Sequence, residues 1–454
     1  MCSTVNESQS MALPCDSLLE VDTSVLVSTI GALPWVSATD TDSILWLYVL
    51  FATGSCAFIL WFVCFKPFYK VKDLTSVGYG PVLEQGKGRR RALVANEARK
   101  RRQKGDFPPV YPNGWFAIAD VKDIPSGKPL LVQALGENFA VFSSLSKETV
   151  HVVDAYCPHL GANMAVGGRV VGNDCIECPF HGWLFSGHDG SCVSVPYTEK
   201  VPTFAKVRVW PNRVIGEVIF IWYHAEREPP LWEIESPPQI TDGVWTQKGT
   251  SIHFVNCHIQ EVPENGADIA HLNILHEPAV FGGADLRSVH GSFFQSMKHR
   301  WSADWAALPP PKEHMTEIAM THEVQLFGRF VTMSLKISVQ QIGPALVYLK
   351  VYSPLLGNFL MMQTVTPQEP LVQKIQHRVF APRWFPNFFV ASFLHSECVM
   401  LERDIMVWNH KMYLKRPCLP REDRNIARFR KWYSQFYSEN SRKLCFFDHG
   451  SLDW

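Results

Sequence analysis

The chain has 454 residues, 46% of them hydrophobic, and its 43 basic and 43 acidic side chains cancel to a formal net charge of zero. That length buries a sufficient core in two or three domains without a disulfide framework or a structural metal, and the neutral balance supplies no overall basic field for nucleic acid. Twelve cysteines spread from Cys2 to Cys445 are too sparse for a small secreted scaffold and read as reduced, cytosol-facing thiols.

Residues 1–43 hold six acidic side chains and no Lys or Arg. Residues 44–65 follow with 22 positions free of charge, a run long enough to cross a bilayer as one helix. A buried core helix competes with that reading, and a signal peptide is disfavoured because no basic region precedes the run. Lys66, Lys70 and Lys72 come directly after it, then Arg89, Arg90 and Arg91. By the positive-inside rule, everything beyond Phe65 is expected in the cytosol and residues 1–43 in the lumen. The sequon Asn6-Glu7-Ser8 then lies on the lumenal side, although such tripeptides often arise by chance. Residues 66–108 are basic and broken by Gly80, Gly86 and Gly88. They read as a juxtamembrane linker, drawn to anionic headgroups or simply solvated.

Residues 109–225 change to short β-rich runs with turns between them, at 130–135, 139–142 and 150–154, the signature of a small all-β domain. Two clusters stand in its turns, Cys157-Pro158-His159-Leu160-Gly161-Ala162 and Cys178-Pro179-Phe180-His181-Gly182-Trp183. Two thiolates and two imidazoles at this spacing suit an iron–sulfur cluster with one iron held by sulfur and the other by nitrogen. A zinc site with Cys175 as a further ligand is the structural alternative.

Residues 226–454 mix strand-like runs, at 324–339 and 345–352, with helical stretches near 264–276, 397–411 and 422–442. This is the pattern of an α+β domain. Within 264–276, Asp268, His271 and His276 lie close together. Asp268 and His271 share a helix face, whereas a five-residue step sets His276 about 140° away on a regular helix. For both imidazoles to converge, the helix must distort or end before His276, and Pro278 favours an end. Two histidines and one carboxylate from elsewhere in the chain would hold Fe(II) with positions open for dioxygen and substrate. His253 and His258 read as structural histidines on opposite faces of a strand. The aromatic run 384–389 reads as ordinary core.

The paired clusters resemble the Cys-x-His and Cys-x-x-His loops of the Rieske family, with Gly161, Gly182 and the prolines also matching. Electron-chain Rieske proteins join their loops by a disulfide; Ala162 and Phe180 stand at those positions here, so the sequence is more similar to the oxygenase branch. The 18 residues between His159 and Cys178 imply a longer loop between the fingers. The resemblance implies a [2Fe-2S] cluster on Cys157, His159, Cys178 and His181, and a mononuclear iron on His271, His276 and a carboxylate of the C-terminal helix, Asp404 first and Glu402 second. It also implies that Asp268 links His181 of one protomer to His271 of the next, in a head-to-tail ring that is commonly a homotrimer.

From the hydrophobic run through both iron domains the chain resembles the animal cholesterol 7-desaturases, the Neverland family. That likeness implies conversion of cholesterol to 7-dehydrocholesterol with dioxygen. No nicotinamide or phosphate-binding glycine motif is visible, so electrons from NAD(P)H are expected through a separate reductase. It further implies catalytic domains facing the cytosol from the endoplasmic reticulum. A membrane-bound Rieske hydroxylase of another lipid or a pigment, and a non-enzymatic iron–sulfur or zinc membrane protein, are the competing readings.

Overall fold

The computed structural model describes residues 41–74, 76–77, 105–146, 149–289, 296–353 and 357–444. The chain divides into two units, Met1–Cys64 and Phe65–Trp454. The first contains helix α1 (Thr41–Phe65) up to its last residue. No proline interrupts this run, and Thr53 returns its hydroxyl to the carbonyls of Val49 and Leu50, which keeps its polar group inside the helical ladder. Leu45, Trp46, Tyr48, Leu50 and Phe51 are all exposed, so the apolar surface surrounds the helix and is not confined to one stripe. Side chains of α1 are described for 45–61, and among the described residues no helix is long and apolar enough to cross a membrane. Asn6 and the basic runs at 87–91 and 99–104 lie outside the described residues.

The second unit departs at once from the expected linker. Residues Phe68–Lys72 form strand β1, paired in parallel with β12 (Trp245–Val255). Strict alternation of the five residues turns Phe68, Lys70 and Lys72 to the less exposed side, a period-two signal that the lysines had masked as a charge run.

The all-β region consists of three small sheets. Strands β2 (Gly114–Asp120), β10 (Asn212–Ile215) and β11 (Val218–Tyr223) make one, in the order β10-β11-β2. Strands β3 (Leu130–Ala134), β4 (Glu137–Ser143) and β5 (Val150–Asp154) make the second, at the positions expected from alternation. The third is β6 (Arg169–Val171), β7 (Cys175–Glu177), β8 (Leu184–Ser186) and β9 (Cys192–Ser194).

After the short helix α2 (Pro238–Thr241), β12 enters an 8-stranded sheet in the order β1-β12-β18-β17-β16-β15-β14-β13. Its later strands are β13 (Met297–Ala307), β14 (Met315–Leu326), β15 (Phe330–Ile342), β16 (Leu346–Ser353), β17 (Gly357–Glu369) and β18 (Val372–Pro382), all antiparallel to their neighbours. The single run expected over 324–339 is two strands of a hairpin. Phe327 and Gly328 both take positive φ, 53° and 66°, and one glycine inside a hydrophobic run was too weak a turn signal.

Among the described residues four helices complete this half: α3 (Glu261–Glu264), α4 (Ile269–Ile274), α5 (Asn387–Trp408) and α6 (Arg424–Tyr433). α4 packs on β13, and α5 packs on β12 and β18. The helix expected near 422–442 is shorter, with α6 followed by a 3-10 turn at Ser434–Phe436.

The two halves are joined through buried polar contacts. Thr366 donates its hydroxyl to the Ala117 carbonyl at 2.6 Å, Leu135 N–H reaches Pro367 O at 2.9 Å, and Arg378 meets Asp120 at 2.6 Å. Phe65–Trp454 is accordingly one compact unit.

Candidate metal centres

The two loops of the first constellation are built alike. In one, Cys157 N–H bonds Ala162 O and Gly161 N–H bonds Cys157 O, each at 2.9 Å. In the other, Cys178 N–H bonds Trp183 O at 2.8 Å and Gly182 N–H bonds Cys178 O at 3.0 Å. Both turns close on a glycine with φ of 71°, a backbone region that a Cβ disfavours. A Cβ at Gly182 would also sit 2.9 Å from Pro196 Cγ.

These knuckles bring Cys157 and Cys178 together, each 2% exposed, and set the His159 and His181 rings 4.7 Å apart. Trp183 stacks on His159 at 4.6 Å. Burial, reinforced by the neighbouring Cys178 and opposed by a backbone hydrogen bond at His159, pushes the Cys157 thiol up to about 11. Such a thiol gives up its proton when a metal takes its place. His181 Nδ1 is buried with no protein hydrogen-bond partner, as an atom reserved for a ligand bond would be. Two thiols and two imidazoles gathered in this way suit a two-iron cluster with one iron held by sulfur and the other by nitrogen.

The second constellation depends on where α4 stops. Asp268 is its N-cap, accepting from the His271 N–H at 3.2 Å. The helix ends at Ile274, and Leu275 returns its N–H to His271 O at 2.7 Å. His276 thus escapes the regular 140° divergence, and the two imidazoles sit 5.2 Å apart. His271 Nδ1 is committed to the Asp268 carbonyl oxygen, leaving Nε2 to face inward. α5 supplies the carboxylate, with Asp404 Oδ1 3.2 Å from His276 Nε2. Ligand atoms of His271, His276 and Asp404 all lie within 4.8 Å of one another, a spacing that one iron spans.

Burial would lower the His271 imidazole, but Asp268 and Asp404 outweigh it and raise it. Burial would likewise raise the Asp268 carboxyl, but its bonds to His271 hold it below the usual range.

Glu402, the second choice for the carboxylate, is not in this trio. Two residues turn a helix by about 200°, which aims it the other way, at Lys70 (2.9 Å) and His253 (3.4 Å). Burial works against its charge, yet these partners hold its carboxyl down to about 2. His253 is therefore structural, and His258 Nε2 meets Pro109 O at 3.2 Å.

Sequence reasoning missed Arg403, which is fully buried. Its guanidinium donates to the carbonyls of Pro278 (2.8 Å), Ala279 (2.9 Å) and Gly283 (3.0 Å), clamping the loop that follows His276. A charge inside an apolar helix face, next to the candidate ligand, was the available signal. A further trio was also unforeseen: both Asp174 oxygens are taken by histidines, Oδ1 by His151 at 2.7 Å and Oδ2 by His188 at 3.3 Å.

His271, His276 and Asp404 open onto a cavity of about 180 Å³ whose walls include Trp301, Ile337, Val339, Leu349 and Phe393. A second cavity of about 180 Å³ shares Trp301, Ile337, Phe393, Glu397 and Met400 with it and continues past Phe385 and Phe389. Those two aromatics come from the run read as ordinary core. The largest described cavity, about 610 Å³, lies beside Glu233, Lys312 and Lys350 and includes none of the candidate ligands. The chemistry belongs with the smaller, apolar chambers.

Residues 114–205 match the Rieske [2Fe-2S] domain family, and residues 221–437 match the 3-ketosteroid 9alpha-hydroxylase C-terminal domain family. A Xenopus laevis protein, cholesterol 7-desaturase nvd, is 43% identical over 86% of this chain and 84% of its own length. Cholesterol 7-desaturase nvd 1 of Ciona intestinalis is 43% identical over 87% of this chain and 83% of its own. Among solved structures, dicamba monooxygenase bound to dicamba aligns at a TM-score of 0.50 and 16% identity, covering 72% of this chain and 98% of that one.

Proposed function

We infer the function from one premise: the chain belongs to the cholesterol 7-desaturase family of Rieske oxygenases. It removes one hydrogen from each of carbons 7 and 8 of cholesterol, forming 7-dehydrocholesterol. Dioxygen is reduced to water by two electrons from the sterol and two from NAD(P)H, which arrive through a separate reductase. The observation that carries this reading is the pairing, in one chain, of a Cys/His cradle with a His271–His276–Asp404 trio that faces an apolar cavity.

Cys157, Cys178, His159 and His181 would hold the [2Fe-2S] cluster, and His271, His276 and Asp404 the mononuclear iron. When bound, these groups supply one-electron transfer and dioxygen activation. The chain's own contribution is positional. Asp268 fixes the His271 ring through its carbonyl, Arg403 fixes the loop of His276, and the apolar walls exclude water from the reacting carbons.

Asp268 is further assigned the bridge from His271 to His181 of the partner subunit in a head-to-tail trimer. Residues 44–65 are assigned a single membrane anchor, with the endoplasmic reticulum as its membrane and the iron domains in the cytosol. The uncharged run, the exposed aromatics of α1 and the basic residues that follow it support this reading. Domain limits of 1–43, 44–65, 66–108, 109–225 and 226–454 go with it, except that β1 belongs to the catalytic sheet.

The match of residues 221–437 to a steroid hydroxylase family favours hydroxylation as the second reading, because the ligand set is common to both outcomes. Purified protein with a reductase, NADPH and cholesterol tests both. A product two hydrogens lighter supports desaturation, a product one oxygen heavier supports hydroxylation, and no oxidised sterol defeats both. Zinc without iron or labile sulfide would instead favour the non-enzymatic reading.

A further inference from the structure

Glu397 projects from α5 into the wall that the two apolar cavities share. Among the described residues its carboxyl has no hydrogen bond and no ion pair; of the other polar groups lining the two cavities, several are occupied, and Trp301 Nε1 and His299 Nε2 are buried without a partner. His377 Nε2 pairs with Gln363 at 2.9 Å, Gln341 donates to Gly343 O at 3.1 Å, and His299 Nδ1 pairs with His322 at 2.8 Å. Around Glu397 the shared wall is Trp301, Ile337, Phe393 and Met400. A carboxyl left without a partner against such a surface calls for a ligand that supplies one.

Its place on the helix says where that ligand lies. Glu397 precedes Asp404 by seven residues of the unbroken α5, an advance of about 10.5 Å with a rotation only about 20° short of two full turns. The two carboxyls therefore face the same chamber, one at the iron ligands and one two turns away. A sterol carries its hydroxyl on the first ring and carbons 7 and 8 in the second, so an arrangement of this length suits a hydroxyl held at one end and reacting carbons at the other.

We propose that Glu397 is the specificity-determining residue that recognises the substrate's 3-hydroxyl, an assignment that rests on the sterol reading given above. Burial, with the charge of Asp404 adding to it, pushes the Glu397 carboxyl up to about 7, so a protonated form is available near neutrality. A protonated carboxyl both donates and accepts, which is the complement of an alcohol; an ionised one only accepts.

The test measures equilibrium binding of cholesterol and its 3-deoxy analogue, cholest-5-ene, to the full-length protein with both iron centres loaded and oxygen excluded, followed by KM and kcat in turnover. Wild type is expected to bind the alcohol about 10- to 100-fold more tightly than the deoxy sterol. Glu397→Leu is expected to erase that preference through Kd and KM, with iron content and cluster absorbance unchanged. Glu397→Gln, which still donates and accepts, is expected to keep it within about threefold.

Equal binding of the two sterols by wild type overturns the proposal whatever the variants do, and so does a preference that survives in Glu397→Leu. If wild type prefers the alcohol and Glu397→Leu loses that preference but no 7-dehydrocholesterol forms, the desaturase reading fails and the hydroxyl recognition stands. If neither sterol binds, both fall.

Discussion

At the scale of single residues, helix phase separates the two candidate carboxylates. Asp404 and Glu402 are equally acidic and two positions apart, yet one reaches His276 and the other Lys70. Asp404→Ala is expected to lose the mononuclear iron and all turnover while the cluster's visible absorbance remains. Glu402→Gln is expected to keep that iron, which metal analysis of the two variants will show. Arg403→Met removes the donors to three carbonyls, of which the two buried ones, of Pro278 and Ala279, cost about 1–3 kcal/mol each when left unpaired. Its midpoint of denaturation should fall by several degrees, with weaker iron retention, since the loop of His276 loses its clamp. The Cys and His residues of the first centre were legible because their spacing is local, carried within two short turns. Arg403 and Glu397 were not, because a charged side chain on a helix declares its environment only when the opposing wall is known.

Among elements, α4 shows which part of the local logic the sequence carries. The five-residue step from His271 to His276, with Pro278 beyond, required an early helix end, and the helix stops at Ile274. By contrast β1 was hidden among lysines, and the β14–β15 turn was hidden inside a hydrophobic run. The paired strands β13 and β14 also carry a titration signal. Burial, with Arg403 and His276 adding to it, lowers His299 to about 4, and burial together with His299 lowers His322 to about 3. An imidazole whose folded pKa is depressed is neutral in the native state and protonated when unfolded in acid. Its contribution is intact above the ordinary histidine pKa of about 6.5 and is lost as pH falls toward 4 and 3, by up to about 1.4 kcal/mol per unit for each ring. Thermal midpoints should therefore drop between pH 6.5 and 4, and His322→Gln should flatten that slope; an unchanged slope would assign the acid sensitivity elsewhere.

On the scale of the whole molecule, two fold families share one compact unit, and the buried Arg378–Asp120 pair sits between them. Removing one partner leaves a buried charge uncompensated, at about 3–5 kcal/mol. Asp120→Ala should thus lower the midpoint of one shared unfolding transition monitored by both cluster absorbance and tryptophan fluorescence. Separate transitions would mean that the halves fold independently. The bridge proposed across a subunit boundary is tested by complementation. Asp268→Ala and His181→Ala chains, each inactive alone, should regain part of the activity when coexpressed, because a mixed ring contains a boundary with an intact Asp268 facing an intact His181. No recovery would place electron transfer within one chain.

One contrast between the two centres bears on how the protein matures. Both Cys/His knuckles close upon their own backbones within residues 157–183, long before the chain is finished, whereas the iron trio waits for α5 to bring Asp404 against His276. During synthesis, all four side chains of the sulfur cradle leave the ribosome while the later site still lacks Asp404. The iron trio is complete only after the C-terminal helix has docked, so a chain truncated before Asp404 should hold no mononuclear iron and be inert.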